Sequence, residues 1–275
     1  MTERELQLDL SGEVIVLTGA GGVLCGTLAR ELADRGASVA VLDIVEEKAK
    51  EVTDDIEESG GTALPVQCNV LDREQVQEAA RTITDELGTP DVLINGAGGN
   101  KPDATTDAET EFFDIPDDAA QWVFNLNFIG TLIPSQVFGR MMAEAGEGHI
   151  LNVSSMTAFR PLTKVLAYGA AKAAVSNFTQ WLAVHMAQNY STDIRVNAIA
   201  PGFFLTEQNR FLLIDEDSGD LTPRGQTIID HTPQGRFGDP EDLVGTVLWL
   251  LSSSSSFVDG TIIPIDGGFN AYSGV

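Results

Sequence analysis

Val14-Ile15-Val16-Leu17-Thr18-Gly19-Ala20-Gly21-Gly22-Val23-Leu24-Cys25-Gly26 decides the fold of this chain. An apolar, β-branched run breaks at glycines and then resumes with helical spacing, which predicts a strand, a sharp turn and a helix. Glycines there let the backbone turn tightly and approach an anion, and the free N–H groups of a helix N-terminus favour a pyrophosphate. The next apolar run, Ser38–Asp43, ends in a carboxylate. At that place in a dinucleotide fold an acid accepts hydrogen bonds from the adenosine ribose hydroxyls and repels a 2′-phosphate. No Lys or Arg lies between Arg35 and Lys48 to offset Asp43. The pattern therefore predicts NAD(H) rather than NADP(H).

Working outward, short β-rich runs alternate with longer helical patterns. Val14–Thr18, Ser38–Asp43, Ala63–Gln67, Val92–Asn95, Ile150–Ser154, Ile194–Ala200 and Thr261–Ile265 read as strands. Leu24–Arg35, Glu46–Ser59, Arg73–Leu87, Ala119–Glu144, Ala167–Asn189 and Asp239–Leu251 read as helices. This alternation predicts an α/β, Rossmann-type, doubly wound parallel sheet of about seven strands with helices on both faces. With no repeat and no linker-like shift in composition, residues 1–275 read as a single NAD-binding domain. The irregular stretch from Pro201 to Asp239 reads as a substrate lid at about 202–239, because long excursions from a compact domain are usually functional.

Composition excludes several classes. The chain of 275 residues has 16 Lys+Arg against 41 Asp+Glu, a net charge of −25. Such a surface repels phosphate backbones and anionic headgroups, arguing against nucleic-acid and membrane partners. The apolar stretch around Leu243–Leu251 falls short of the ~20 residues a membrane span needs. Met-Thr-Glu-Arg-Glu-Leu at the start has no apolar leader region, and the two cysteines, Cys25 and Cys68, fit a reducing compartment, so a cytoplasmic location is expected. His149, His185 and His231 are scattered without ligand spacing, so no metal site is expected. Lysine supplies only five of the 16 cations and aspartate 22 of the 41 acids, the pattern of a halophilic surface whose self-repulsion salt screens.

The chemistry centres on Tyr168 and Lys172, spaced i, i+4 on one helix face. An ammonium beside a phenol is expected to pull the tyrosine pKa down from ~10 and make it a general acid/base. Ser155 falls beyond the end of a strand, where open parallel sheets bind ligands.

With these residues the chain resembles the short-chain dehydrogenase/reductase family over nearly its whole length. The carriers are the Gly-rich turn after Thr18, Asn95-Gly96-Ala97-Gly98, Asn127, Ser155, Tyr168-x-x-x-Lys172, Asn197-x-x-x-Pro201-Gly202 and Asp266-Gly267-Gly268. The resemblance implies a catalytic set of Asn127, Ser155, Tyr168 and Lys172. In it Tyr168 is the acid/base, Ser155 orients the substrate oxygen, Lys172 binds the nicotinamide ribose and tunes Tyr168, and Asn127 holds a water. It implies cofactor contacts from Thr18, Gly19, Gly21, Gly22, Val23, Leu24, Asp43, Asn69, Val70, Asn95, Gly96, Ala97, Gly98, Tyr168, Lys172, Pro201, Gly202 and Thr206. Val23 and Cys25 stand where the family's turn usually has glycines, and Asn69 where it commonly has an adenine-contacting aspartate. A homo-oligomer, tetramer or dimer, is also implied, built on the two long helices.

Within the family, Gly21-Gly22-Val23-Leu24 and Leu93–Asn100 followed by Lys101-Pro102 resemble the D-mannonate oxidoreductase, or fructuronate reductase, branch. A sugar-acid carboxylate needs cations, and Lys101, Arg160 and Lys164 all fall in loops after the fourth and fifth strands. Asn100, Lys101, Ser155 and Arg160 are thus the substrate candidates, with Gln208 a further hydroxyl contact. Other polyol or ketogluconate dehydrogenases, 3-oxoacyl reductases and a non-catalytic NAD sensor remain as rival readings.

Overall fold

The computed structural model describes residues 9–107, 109–206, 210, 213–215 and 218–274. Seven parallel strands form one sheet in the order β3-β2-β1-β4-β5-β6-β7. They are β1 Val14–Thr18, β2 Ser38–Asp43, β3 Thr62–Gln67, β4 Val92–Asn95, β5 Gly148–Val153, β6 Ile194–Pro201 and β7 Ile262–Ile265. The described helices are α1 Val23–Ala33, α2 Glu46–Glu58, α3 Arg73–Glu86, α4 Asp117–Phe124, α5 Gly130–Ala145, α6 Leu166–Asn189, α7 Pro223–Asp230 and α8 Val244–Leu251.

Strand periodicity splits the core in two. Ile15, Leu17, Val39, Val41 and Ile94 pack with α1, α2 and α8, whereas Val14, Val16, Ala40, Leu42 and Leu93 pack with α3, α5 and α6. Both faces of β1 are buried, which is why its sequence is apolar throughout instead of alternating. Each fully buried large aliphatic residue contributes roughly 1.5–3 kcal/mol. Arg195 on β6 closes the far edge. Its guanidinium donates to Leu250 O (2.8 Å), Ser255 O (3.1 Å) and Ser252 O (3.3 Å), carbonyls of the last turn of α8 and the turn that follows it.

The sheet order reverses between β1 and β4, so crossovers leave in opposite directions and open a crevice at the strands' carboxyl ends. Thr18, Asn95 and Asn152 stand in register across β1, β4 and β5 along its floor.

Three elements differ from the sequence reading. The expected helix 119–144 is two helices joined by a π-helical segment, Asn125–Ile129. Pro134 has no N–H to return to Gly130, and Asn127 Nδ2 takes Val123 O at 2.8 Å, competing with the regular ladder. The expected helix 239–251 begins as a 3-10 turn, Pro240–Leu243, before α8. Inside the expected lid lies α7, capped by Thr222 Oγ1 accepting from Gly225 N (3.0 Å) with Pro223 at its first position. Thr-Pro before that helix was the available start signal. The base of this excursion is pinned where Phe204 bridges Gly238.

Candidate active site

A cavity of about 560 Å³ lies over the crevice, from Asp43 and the Gly-rich turn at one end to Ser155, Tyr168 and Lys172 at the other. Its floor is fixed from behind. Thr18 Oγ1, fully buried, accepts from Gly96 N (3.1 Å) and Ala97 N (3.2 Å), joining the loops after β1 and β4. Asn95 Nδ2 donates to Asn152 Oδ1 (2.9 Å) and Ser135 Oγ (3.0 Å), and Asn152 Nδ2 donates to Thr179 Oγ1 (2.9 Å). Thr18 and Asn95 therefore support the cavity from behind without lining it.

The turn after β1 needs its glycines for two reasons. Gly19 is left-handed (φ +64°), and a Cβ there would lie 2.7 Å from Ala97 Cα. Gly22 caps α1 with extended backbone. Cys25 fills the space that a regular glycine would leave: a Cβ on Gly96 would meet its Sγ at 2.1 Å. Burial pushes the Cys25 thiol up to about 12, so it is a packing group, not a nucleophile.

Asp43 lies on the cavity wall, with Oδ2 accepting from Gly21 N (3.0 Å) and Oδ1 from Val45 N (3.0 Å). Gly21 thus spends its N–H on Asp43 and is not part of the wall. Lys48 is on the same wall. The sequence window empty of cations ended one residue too early, and a helical turn brings that lysine round to the acid. Val23, Leu24, Asn69, Val70, Gly96, Ala97, Gly98, Pro201, Gly202 and Thr206, all expected at the cofactor, line the cavity. The sequence reading missed Phe203 and Phe204, which directly follow Pro201-Gly202 and wall the cavity opposite the turn.

At the other end, Ser155 follows β5 and caps a 3-10 turn, Met156–Ala158. Tyr168 sits near the start of α6 with the Ser155 hydroxyl within hydrogen-bonding reach. Lys172, 3% exposed, stands one turn on, donates to Val153 O at 2.7 Å and has its Nζ 5.7 Å from the centre of the Tyr168 ring. Burial pushes Tyr168 above its ordinary pKa, against the Ser155 hydrogen bond, and holds Lys172 down to about 8. The expected lowering of Tyr168 by its lysine is not what this geometry gives, because both groups are desolvated and the charged forms lose most.

Asn127, fully buried in the π-helical turn, is not on the wall. Its Nδ2 donates to Gly99 O (2.7 Å) and its Oδ1 accepts from Gly99 N (3.2 Å), clamping the loop after β4. A Cβ on Gly98 would lie 2.6 Å from Asn127 Oδ1 and 3.3 Å from Lys172 Nζ, so glycine lets the three meet.

The substrate candidates separate. Asn100 donates to Thr105 Oγ1 (2.9 Å), and the Lys101 ammonium lies 4.9 Å from the Trp122 ring centre; neither lines the cavity. Each makes its contact within or beside its own loop. Arg160 lies on the loop leaving Ser155, exposed and likewise off the cavity lining, and Gln208 is outside the described residues. Lys164 holds φ +78°, strained for a side chain with a Cβ, and its carbonyl accepts from Thr106 N (3.0 Å). Among the described residues, no three His, Cys, Asp or Glu groups gather as a metal site, and no helix is long and apolar enough to cross a membrane.

Residues 23–270 match the family described as enoyl-(acyl carrier protein) reductase. An uncharacterized Bacillus subtilis (strain 168) oxidoreductase called UxuB is 51% identical, over 98% of this chain and 99% of that protein. At 32% identity, 7alpha-hydroxysteroid dehydrogenase of Escherichia coli (strain K12) aligns over 95% of both chains. Among solved structures, a Haemophilus influenzae protein described as a candidate D-mannonate oxidoreductase with bound NAD superposes with a TM-score of 0.91. It is 48% identical, over 97% of this chain and 98% of that one. A Burkholderia cenocepacia J2315 gluconate 5-dehydrogenase in complex with NADP and tartrate superposes at 0.84, with 29% identity over 97% and 98%. Cleft, residue cluster and likeness all span nearly the whole chain, which belongs to the short-chain dehydrogenase/reductase family of nicotinamide-dependent oxidoreductases.

Proposed function

We propose that the protein is an NAD(H)-dependent enzyme interconverting a sugar-acid ketone and its secondary alcohol, with D-fructuronate and D-mannonate as the pair. The observation that carries the chemistry is the convergence of Ser155, Tyr168 and Lys172 on one end of a cavity whose other end is the Gly19–Gly22 turn and Asp43. The sugar-acid assignment draws support from the likeness to the Haemophilus influenzae structure and from the exposed guanidinium of Arg160 beside the Ser155 loop. The likeness to a gluconate 5-dehydrogenase supports a second reading, a ketogluconate in place of fructuronate.

The residues fit a dinucleotide. The Gly19–Gly22 turn runs against the Gly96–Ala97 loop as only a glycine at 19 allows, and α1 offers its free N–H groups there. Asp43 would hold the adenosine ribose hydroxyls, and Lys172 the nicotinamide ribose. When bound, the nicotinamide supplies or accepts the two electrons and hydrogen that reduce the ketone carbon. Ser155 donates to the substrate oxygen, and Tyr168 gives it the proton as the alcohol forms. A protonated phenol is the form that burial favours, so the chain holds its acid ready for reduction. Lys172 holds its Nζ 5.7 Å from the centre of the Tyr168 ring, and Asn127 keeps the adjoining loop in place.

NAD(H) is the proposed cofactor because the Asp43 carboxylate opposes a 2′-phosphate. Asp43→Ala should weaken NADH about tenfold and narrow the NADH/NADPH preference. Titration of both cofactors checks this, and unchanged discrimination would remove Asp43 from that role.

We also propose that the protein works in high salt, as a homo-oligomer in the cytoplasm. Six ion pairs are present among the described residues, so most of the 41 carboxylates face like charge that salt screens. The exposed Trp181 and Val184 along α6, with Tyr190 just beyond its end, offer the oligomer an apolar face. The 202–239 excursion, closing over the cavity through Phe203 and Phe204, is the proposed lid of the single domain.

A further inference from the structure

Arg160 departs from four of the surface arginines. Arg30, Arg35, Arg81 and Arg236 each pair with a carboxylate. Arg160 has none within 4 Å among the described residues, in a chain of net charge −25. Exposed Arg73, Arg140 and Arg224 likewise lack one among the described residues, but Arg160 is set on the loop after Ser155. Its Nε donates instead to the neutral amide oxygen of Asn270, Oδ1, at 3.3 Å. That contact holds the side of the guanidinium and leaves both terminal nitrogens without a partner in the described structure. The two terminal nitrogens form the edge that grips a carboxylate bidentately.

Asn270 is itself held in a built element. Asp266 Oδ1 accepts from Gly268 N (2.9 Å) and Oδ2 from Asn270 N (2.8 Å), with Gly267 and Gly268 left-handed at φ +62° and +89°. The next ring inward, Phe269, packs edge-to-face on Phe203 at 5.2 Å, and Phe203 lines the cavity. Arg160 in turn closes on Met156 O through its own N–H (3.1 Å), one residue past Ser155. The C-terminal segment therefore touches the cavity wall on one side and the Ser155 loop on the other.

We infer that the segment Asp266–Tyr272 is a wall of the substrate mouth, in which Asn270 is the positioning residue that presents Arg160 to the substrate's carboxylate. This rests on reading the substrate as a ketone that carries a carboxylate. An amide partner suits the task because it orients the guanidinium without neutralising it; an aspartate at the same place would occupy the charge.

The test uses Asn270→Asp, Asn270→Ala and Arg160→Gln in the full chain, with D-fructuronate and NADH. Asn270→Asp keeps an acceptor oxygen of nearly the same shape, and it should raise KM for D-fructuronate about tenfold, with Asn270→Ala intermediate. In both, kcat should hold within about twofold and KM for NADH should not move, a split that general loosening of the tail would not produce. In an Arg160→Gln background, adding Asn270→Asp should have less than about a twofold further effect. A wild-type KM in Asn270→Asp, equal losses in kcat and in KM for NADH, or additivity with Arg160→Gln would each overturn the inference. A wild-type enzyme that leaves D-fructuronate and other carboxylate-bearing ketones untouched would instead fail at the substrate reading, before any variant is compared.

Discussion

The two walls of the cleft are made differently. The nucleotide wall is built at strand ends and on backbone: Thr18, Asn95 and Asn152 lie in register, fully or nearly buried, and Gly19 presses on Ala97. The substrate wall is built from loops: Arg160, Lys164 and Asn270 belong to segments joined by single hydrogen bonds, Arg160 to Asn270 and Thr106 to Lys164. A wall set by sheet register cannot shift without moving the core, whereas a loop wall can change residue by residue. The difference teaches why a nucleotide site persists in proteins with names as unlike as steroid, gluconate and mannonate enzymes.

The comparison breaks most visibly where the walls meet. Tyr168→Phe removes the proton donor and should cut kcat by roughly 10²–10⁴-fold while NADH binding, read by fluorescence titration, stays near wild type. Turnover that survives would take Tyr168 out of the reaction. On the nucleotide wall, Gly19→Ala forces a side chain into a left-handed position against Ala97, and should cost about 2 kcal/mol or more and most NADH affinity. Thermal melting and cofactor titration together check it, and a variant with ordinary stability would mean the turn is slack.

Lys172 sharpens the contrast by pH. Burial holds it at about 8, below its ordinary 10.5, so between those values the unfolded chain binds more protons than the folded one. Stability from this group is therefore poorest below about pH 8 and recovers as pH rises toward 10.5. Lys172→Met should melt higher than wild type at pH 7, with the gap closing toward pH 10, and should lose turnover. A gap independent of pH would show that the ammonium is not strained by its burial. The smallest effect is on the loop wall. Lys164→Asn, suited to the left-handed backbone, should raise stability by a few tenths to ~1 kcal/mol without touching NADH binding.

The same division explains what was legible in the sequence. Val14–Thr18, Ser38–Asp43 and Val92–Asn95 were read to the residue because strands buried on both faces carry uninterrupted apolar runs. Ser155, Tyr168 and Lys172 were legible because helix spacing and strand ends place them with no further information. Distance in space was not legible. Lys48 reaches the wall with Asp43 only once α2 has turned, and Asn127 braces Gly99 only because the helix winds as a π-turn there. The contacts of Asn100 with Thr105 and of Lys101 with Trp122 were likewise not legible. Asp266-Gly267-Gly268 stood out only as a family motif, and its link to Arg160, more than a hundred residues away, was not legible.

The most direct test of the account is NADH oxidation at high KCl with D-fructuronate, D-tagaturonate, 5-ketogluconate and an acetoacetyl thioester side by side. The account predicts that D-fructuronate has the highest kcat/KM and that D-mannonate is its product. A clear preference for another ketone would leave the proton chemistry of Tyr168 standing and contradict the sugar-acid assignment, and silence with all four despite tight NADH binding would contradict the proposed reaction itself.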